Sequence, residues 1–93
     1  MFRHIVFFKF RDQTVAPEAK RRLEAMCGAV ASLEALEVGL DCVHSERSWH
    51  MVLDTRFADR AGYRSYAKDP VHLEVLGWLK TVVAHSATVD YEA

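Results

Sequence analysis

Two side chains six residues apart, Tyr66 and His72, bracket the run Ala67-Lys68-Asp69-Pro70-Val71. A phenol can hydrogen-bond a carbonyl oxygen and stabilise the enolate that forms when a neighbouring carbon loses its proton. An imidazole, titrating near 6.5, is the side chain best suited to take that proton close to neutral pH. His72 stands two residues past Pro70, in what should be the first turn of a helix, where the helix N-terminus favours the neutral, basic ring. His4 lies near the start of the chain between apolar residues. Asp90, near the other end, could accept from one imidazole nitrogen and so fix the tautomer that leaves the other nitrogen free. Each has a plainer explanation: a hydrogen-bonded structural histidine, a core tyrosine, a surface carboxylate.

The elements that must position these groups follow from periodicity. Phe2 to Phe10 alternates with both faces partly apolar, as a strand does. Pro17 opens a helix expected over residues 15–31, with Leu23, Met26, Cys27, Val30 and Leu33 at helical spacing. Leu36 to Cys42 and Trp49 to Phe57 alternate about the polar break Ser45-Glu46-Arg47-Ser48 and form a hairpin. Asp59 starts a short second helix with Tyr63, Tyr66 and Ala67 on one face. Asp69-Pro70 caps a third, and the β-branched tail Thr81 to Tyr91 closes the chain as a fourth strand.

The order β-α-β-β-α-α-β is the α+β ferredoxin-like arrangement, a four-stranded antiparallel sheet with helices on one face. Residues 1–93 are expected to form a single domain. His4 shares its face with Val6 and Phe8 and should lie under the helices. The opposite face carries Ile5, Phe7, Val43 and Val52, an uncovered patch that points to a homodimer. Alternation sets Asp90 with Ser86 and Thr88, apart from Val89 and Tyr91. The apolar pattern would therefore turn it away from the helices unless a twist or bulge intervenes.

Composition narrows the function. Twelve Lys and Arg against 13 Asp and Glu leave a net charge of -1, so no nucleic-acid partner is expected. No apolar run reaches the ~20 residues of a membrane span, and no cleavage site follows the apolar start, so neither a membrane partner nor a leader is expected. Cys27 and Cys42 lack metal or redox spacing and read as reduced core thiols, which suits a cytoplasmic location. His44, His50 and His85 are scattered without metal-ligand spacing, so no metal is expected. The basic run Lys20-Arg21-Arg22 reads as a solvated helix face.

The chain resembles the stress-responsive dimeric α/β-barrel family. The resemblance rests on Arg3-His4-Ile5-Val6 with Lys9-Phe10, on Phe57, on Tyr66-Ala67-Lys68-Asp69-Pro70-Val71-His72, and on Val89-Asp90-Tyr91-Glu92. It implies a ferredoxin-like monomer whose sheet packs against a second copy to close a barrel with helices outside. One plant branch of that family is a polyketide cyclase working by aldol condensation, and the resemblance carries its site residues to His4, Tyr66, His72 and Asp90. That branch has a pocket tyrosine on the first helix where this chain has Met26. The expected function is a pocket between sheet and helices, lined also by Phe8, Leu23 and Met26, for a small hydrophobic or polyketide-like ligand. Its chemistry would be cofactor-free proton abstraction, in aldol cyclisation or a lyase step. The alternatives are a stress-related binding or assembly module without turnover, and a cofactor-independent monooxygenase on the same barrel.

Overall fold

In the computed structural model, which describes all residues 1–93, the element order is β1 (Phe2–Phe10), a 3-10 turn (Gln13–Val15), α1 (Ala16–Glu24), β2 (Ala35–Leu40), β3 (Met51–Phe57), α2 (Arg60–Lys68), α3 (Pro70–Val82) and β4 (Val83–Glu92). The strands form one antiparallel sheet in the order β2-β3-β1-β4. This is the ferredoxin-like arrangement expected from periodicity. Phe2, Val6, Phe8 and Phe10 alternate onto the helix side, as do Met51, Leu53, Thr55 and Phe57 from β3. Ala19, Leu23, Met26, Val30, Tyr66 and Leu79 cover them and complete the core. The one buried polar side chain, Thr55, donates its hydroxyl to the carbonyl of His4 at 2.7 Å and so fixes the backbone beneath that imidazole.

The first helix is shorter than its periodicity suggests. It stops at Glu24, and a series of turns continues to Thr-free, alanine-rich residues 25–32, with Gly28 at φ 81° in the left-handed region that glycine adopts without strain. Met26 and Val30 stay buried across those turns, which is why the helical pattern persists where the helix does not. Cys27, beside Gly28, and Cys42, beyond the end of β2, are free and exposed, so neither is the core thiol expected. Thr81 and Val82 belong to α3, and β4 begins only at Val83.

The far face of the sheet also differs in detail. Val43 lies in the loop after β2 and is 74% exposed, while Val89 and Tyr91 of β4 join Ile5, Phe7 and Val52 on that face. This reverses the orientation expected for the last strand. The apolar residues of β4 point away from the helices, and Ser86, Thr88 and Asp90 point toward them, with no bulge near Asp90; the one register shift is between Lys9 and Phe10.

Two caps build the corner that carries the candidate site. Asp59 accepts from the Gly62 amide at 2.8 Å to start α2, and Asp69 accepts from the Val71 amide at 2.8 Å to start α3, with Pro70 at its first position. The Asp69 amide also donates to the Tyr66 carbonyl at 3.1 Å, which ties the two helices across the turn. Replacing Asp59 by Ala should lower stability by about 1 kcal/mol in urea denaturation, the usual worth of such a cap. An unchanged midpoint would show that tertiary packing alone sets this helix start.

Candidate functional site

The tied corner brings Tyr66 and His72 together, with ring centroids 4.3 Å apart. His72 donates from Nδ1 to the carbonyl of Ala67 at 3.3 Å, because a carbonyl can only accept. That fixes the tautomer with a bare Nε2. Burial pulls the His72 pKa below its ordinary 6.5, and the nearby His4 adds to this, while the Ala67 carbonyl and Asp69 work the other way. The neutral ring is therefore the form present at neutral pH.

His4 faces the same space from β1. Its ring lies 6.2 Å from that of Tyr66 and 4.8 Å from that of Tyr63, and its Nδ1 is hydrogen-bonded to the Asp90 carboxylate. The pairing follows from sheet register, since His4 sits opposite Asp90 across β1 and β4 with both side chains on the helix side. Asp90 thus engages the imidazole of the opening strand, not that of α3. Neither histidine gives its Nε2 to any protein group.

These groups line one cavity of about 260 Å3, bounded by His4, Val6, Phe8, Leu23, Tyr66 and His72, with Tyr63 beside them. Val75, Leu76 and Leu79 of α3 and Ser86 and Thr88 of β4 close its other side. The volume sits just under the usual range of about 300–1,000 Å3 for small-molecule sites, which suits a compact ligand. Of the residues expected around it, Phe8 and Leu23 line the cavity. Met26 does not: it is fully buried in the core under α1, because the chain turns after Glu24 and carries it inward.

Tyr66 is 1% exposed, and burial drives its phenol far above the ordinary value of 10.0, so it is held as a proton donor. Its hydroxyl finds no hydrogen-bond partner in the protein, an arrangement that leaves it free for a ligand oxygen. Sequence reasoning did not single out Tyr63 as a site residue. The available signal was its place one turn before Tyr66 on the same helical face.

The remaining histidines lie elsewhere. His50 accepts from the Phe10 amide at 2.9 Å, His44 contacts Gln13 and Asp41 in the β2–β3 loop, and His85 lies on the far face opposite Lys9. No three His, Cys, Asp or Glu side chains are grouped so as to hold a metal ion. No helix is long and apolar enough to cross a membrane. Arg21 and Arg22 both pair with Glu18, and Arg22 also lies over the Trp78 ring at 4.2 Å.

Comparison with known proteins gives a consistent account of the fold. A family model described as the stress responsive A/B barrel domain matches residues 2–93. A dimeric protein of unknown function and ferredoxin-like fold from Bacteroides fragilis is 29% identical with a TM-score of 0.87, covering 99% of this chain and 95% of that one. A Dabb family protein with a ferredoxin-like fold from Mesorhizobium loti is 25% identical with a TM-score of 0.76, covering 99% of this chain and 95% of that one. A hydroxynitrile lyase from Passiflora edulis superposes with a TM-score of 0.83 over 97% of this chain and 90% of that one; at 14% identity the likeness is one of fold. A search of curated proteins returns no match.

Proposed function

Because the chain belongs to the stress-responsive A/B barrel domain family, we propose that it is a homodimer whose protomers each bind a compact, mainly hydrophobic carbonyl compound and catalyse cofactor-free proton abstraction beside the carbonyl. One observation carries the reading. Two imidazoles, each anchored through Nδ1 to an oxygen acceptor, face a single cavity with a free Nε2, and an unpartnered phenol lies against one of them.

In this scheme His72 Nε2 takes the proton, the carbon–hydrogen electron pair moves into the enolate, and the Tyr66 hydroxyl donates to the developing oxyanion. His4 stands across the cavity. With Asp90 holding its Nδ1, its bare Nε2 can accept a hydrogen bond from a hydroxyl of the ligand and orient it while the enolate adds to another carbonyl or expels a leaving group. The His72 imidazolium then returns its proton to the product. The cavity size favours a short substrate over an extended polyketone.

Dimerisation is supported by the far face of the sheet, where Phe7 and Tyr91 are each 39% exposed and Val89 is 58% exposed, and by the dimeric Bacteroides fragilis relative. Facing sheets from two copies would close the barrel. The same proposal places the protein in a reducing cytoplasm, where two exposed thiols persist unpaired.

The test is hydrogen–deuterium exchange of small ketones in heavy water, followed by NMR. Exchange should exceed that produced by an equal concentration of free imidazole, and kcat/KM should fall as pH drops through a midpoint below 6.5, because protonation of His72 removes the base. Above that midpoint the rate should be flat through neutrality, since Tyr66 stays protonated beyond 10.0. Thermal stabilisation by a ligand without any exchange would instead make the protein a binding module.

A further inference from the structure

The cavity holds a second phenol that the scheme above does not use. Tyr63 lies one turn before Tyr66 on α2, with ring centroids 6.4 Å apart, and both rings line the same space. Its ring packs on Phe2 at 5.0 Å and edge-on to Phe57 at 5.8 Å, so its position is set by the core beneath it. It also lies 4.8 Å from the His4 ring, and it is half-buried on the cavity wall. The lining is therefore polarised. Tyr66 with His72 forms one imidazole–phenol pair, Tyr63 with His4 forms another, and the remaining wall is mostly aliphatic.

We propose that Tyr63 is a second ligand-binding donor, and that the cavity selects compact molecules carrying two oxygen functions, one at each imidazole–phenol pair. The proposal rests on the proton-abstraction reading for the role of the first pair and adds the second. A lone carbonyl would accept from Tyr66 and leave the Tyr63 hydroxyl without a ligand acceptor. A second carbonyl oxygen would accept from the Tyr63 hydroxyl, and a site with a donor waiting for a substrate oxygen discriminates against ligands that lack it. Burial raises the Tyr63 pKa and the Asp90 carboxylate raises it further, which keeps the phenol protonated as a donor.

The test compares cyclohexanone with 2,2-dimethylcyclohexane-1,3-dione, whose blocked 2-position keeps it a neutral diketone, and cyclohexane-1,4-dione, six-membered rings differing in oxygen count, by NMR titration of the wild-type protein, Tyr63→Phe and Tyr66→Phe. At least one dione should bind roughly tenfold more tightly than cyclohexanone to the wild type, the worth of one added hydrogen bond. Tyr63→Phe keeps the ring packing on Phe2 and Phe57 and should abolish that advantage, whereas Tyr66→Phe should weaken all three ketones. Equal affinity for one and two oxygens, a dione advantage that survives Tyr63→Phe, or no saturable binding of any of the three would overturn it. The readout is affinity, so it stands apart from the exchange assay: a protein that prefers diones but exchanges no protons would keep the second donor and lose the catalytic reading.

Discussion

His72→Ala should slow ketone proton exchange by roughly 10^2- to 10^4-fold, the usual contribution of a positioned general base. The expectation follows from where the ring sits. It is half-buried, its Nδ1 is committed to the Ala67 carbonyl, and its ring lies 4.3 Å from that of Tyr66, against 6.2 Å for His4. Truncation opens space for a small molecule, so added imidazole should restore part of the rate in the variant and none in the wild type. Thermal unfolding should move little, because the ring makes one long hydrogen bond to the α2–α3 corner while the two aspartate caps remain. An exchange rate equal to that of the wild type, with the fold intact, would remove His72 from the mechanism.

Phe7→Glu should convert the protein to monomers at concentrations where the wild type is dimeric, measured by sedimentation equilibrium. Fully burying a phenylalanine is worth about 1.5–3 kcal/mol, and the two-fold relation counts the loss twice. Phe7 is already partly covered in the protomer, but the introduced carboxylate adds a desolvation cost in an interface centred on Ile5, Phe7, Val52 and Val89. The dissociation constant should rise roughly hundredfold or more. Leu73→Glu is the control: Leu73 is 51% exposed on α3, away from the far face of the sheet, and its replacement should leave the mass unchanged. Dissociation by the control but not by Phe7→Glu would move the interface from the sheet to the helices.

The two variants probe opposite faces of one sheet, and the last strand connects them. Val89 and Tyr91 point outward to the expected partner, which forces Asp90 inward onto His4. Periodicity alone reads this strand the other way, because it assigns apolar residues to the covered face of an isolated protomer. A sheet covered by helices on one side and by a second copy on the other offers two apolar destinations, and alternation cannot choose between them. The same ambiguity is absent from β1 and β3, where the large aromatic and aliphatic residues outnumber their alternates on the helix side, and there the pattern in the sequence and the observed burial agree.

Local chemistry was similarly legible where it is local. Asp59 and Asp69-Pro70 mark their helix starts because a carboxylate capping free amides and a proline at the first turn act within a few residues. The six-residue spacing of Tyr66 and His72 becomes a contact through that corner. Met26 and Tyr63 exchange their expected places for reasons the spacing does not contain. The turn after Glu24 carries Met26 into the core, and the stacking of Tyr63 on Phe2 brings it beside His4, a contact set by the pairing of elements far apart in the chain.

Nitrogen-15 NMR of the histidine rings at neutral pH reads the central geometry most directly, since the two ring nitrogens resonate differently when protonated and bare. His72 should carry its proton on Nδ1, bonded to the Ala67 carbonyl, with an unprotonated Nε2 that shifts when a ketone enters the cavity. A ring protonated on Nε2, or one indifferent to every ligand that binds, would contradict the account.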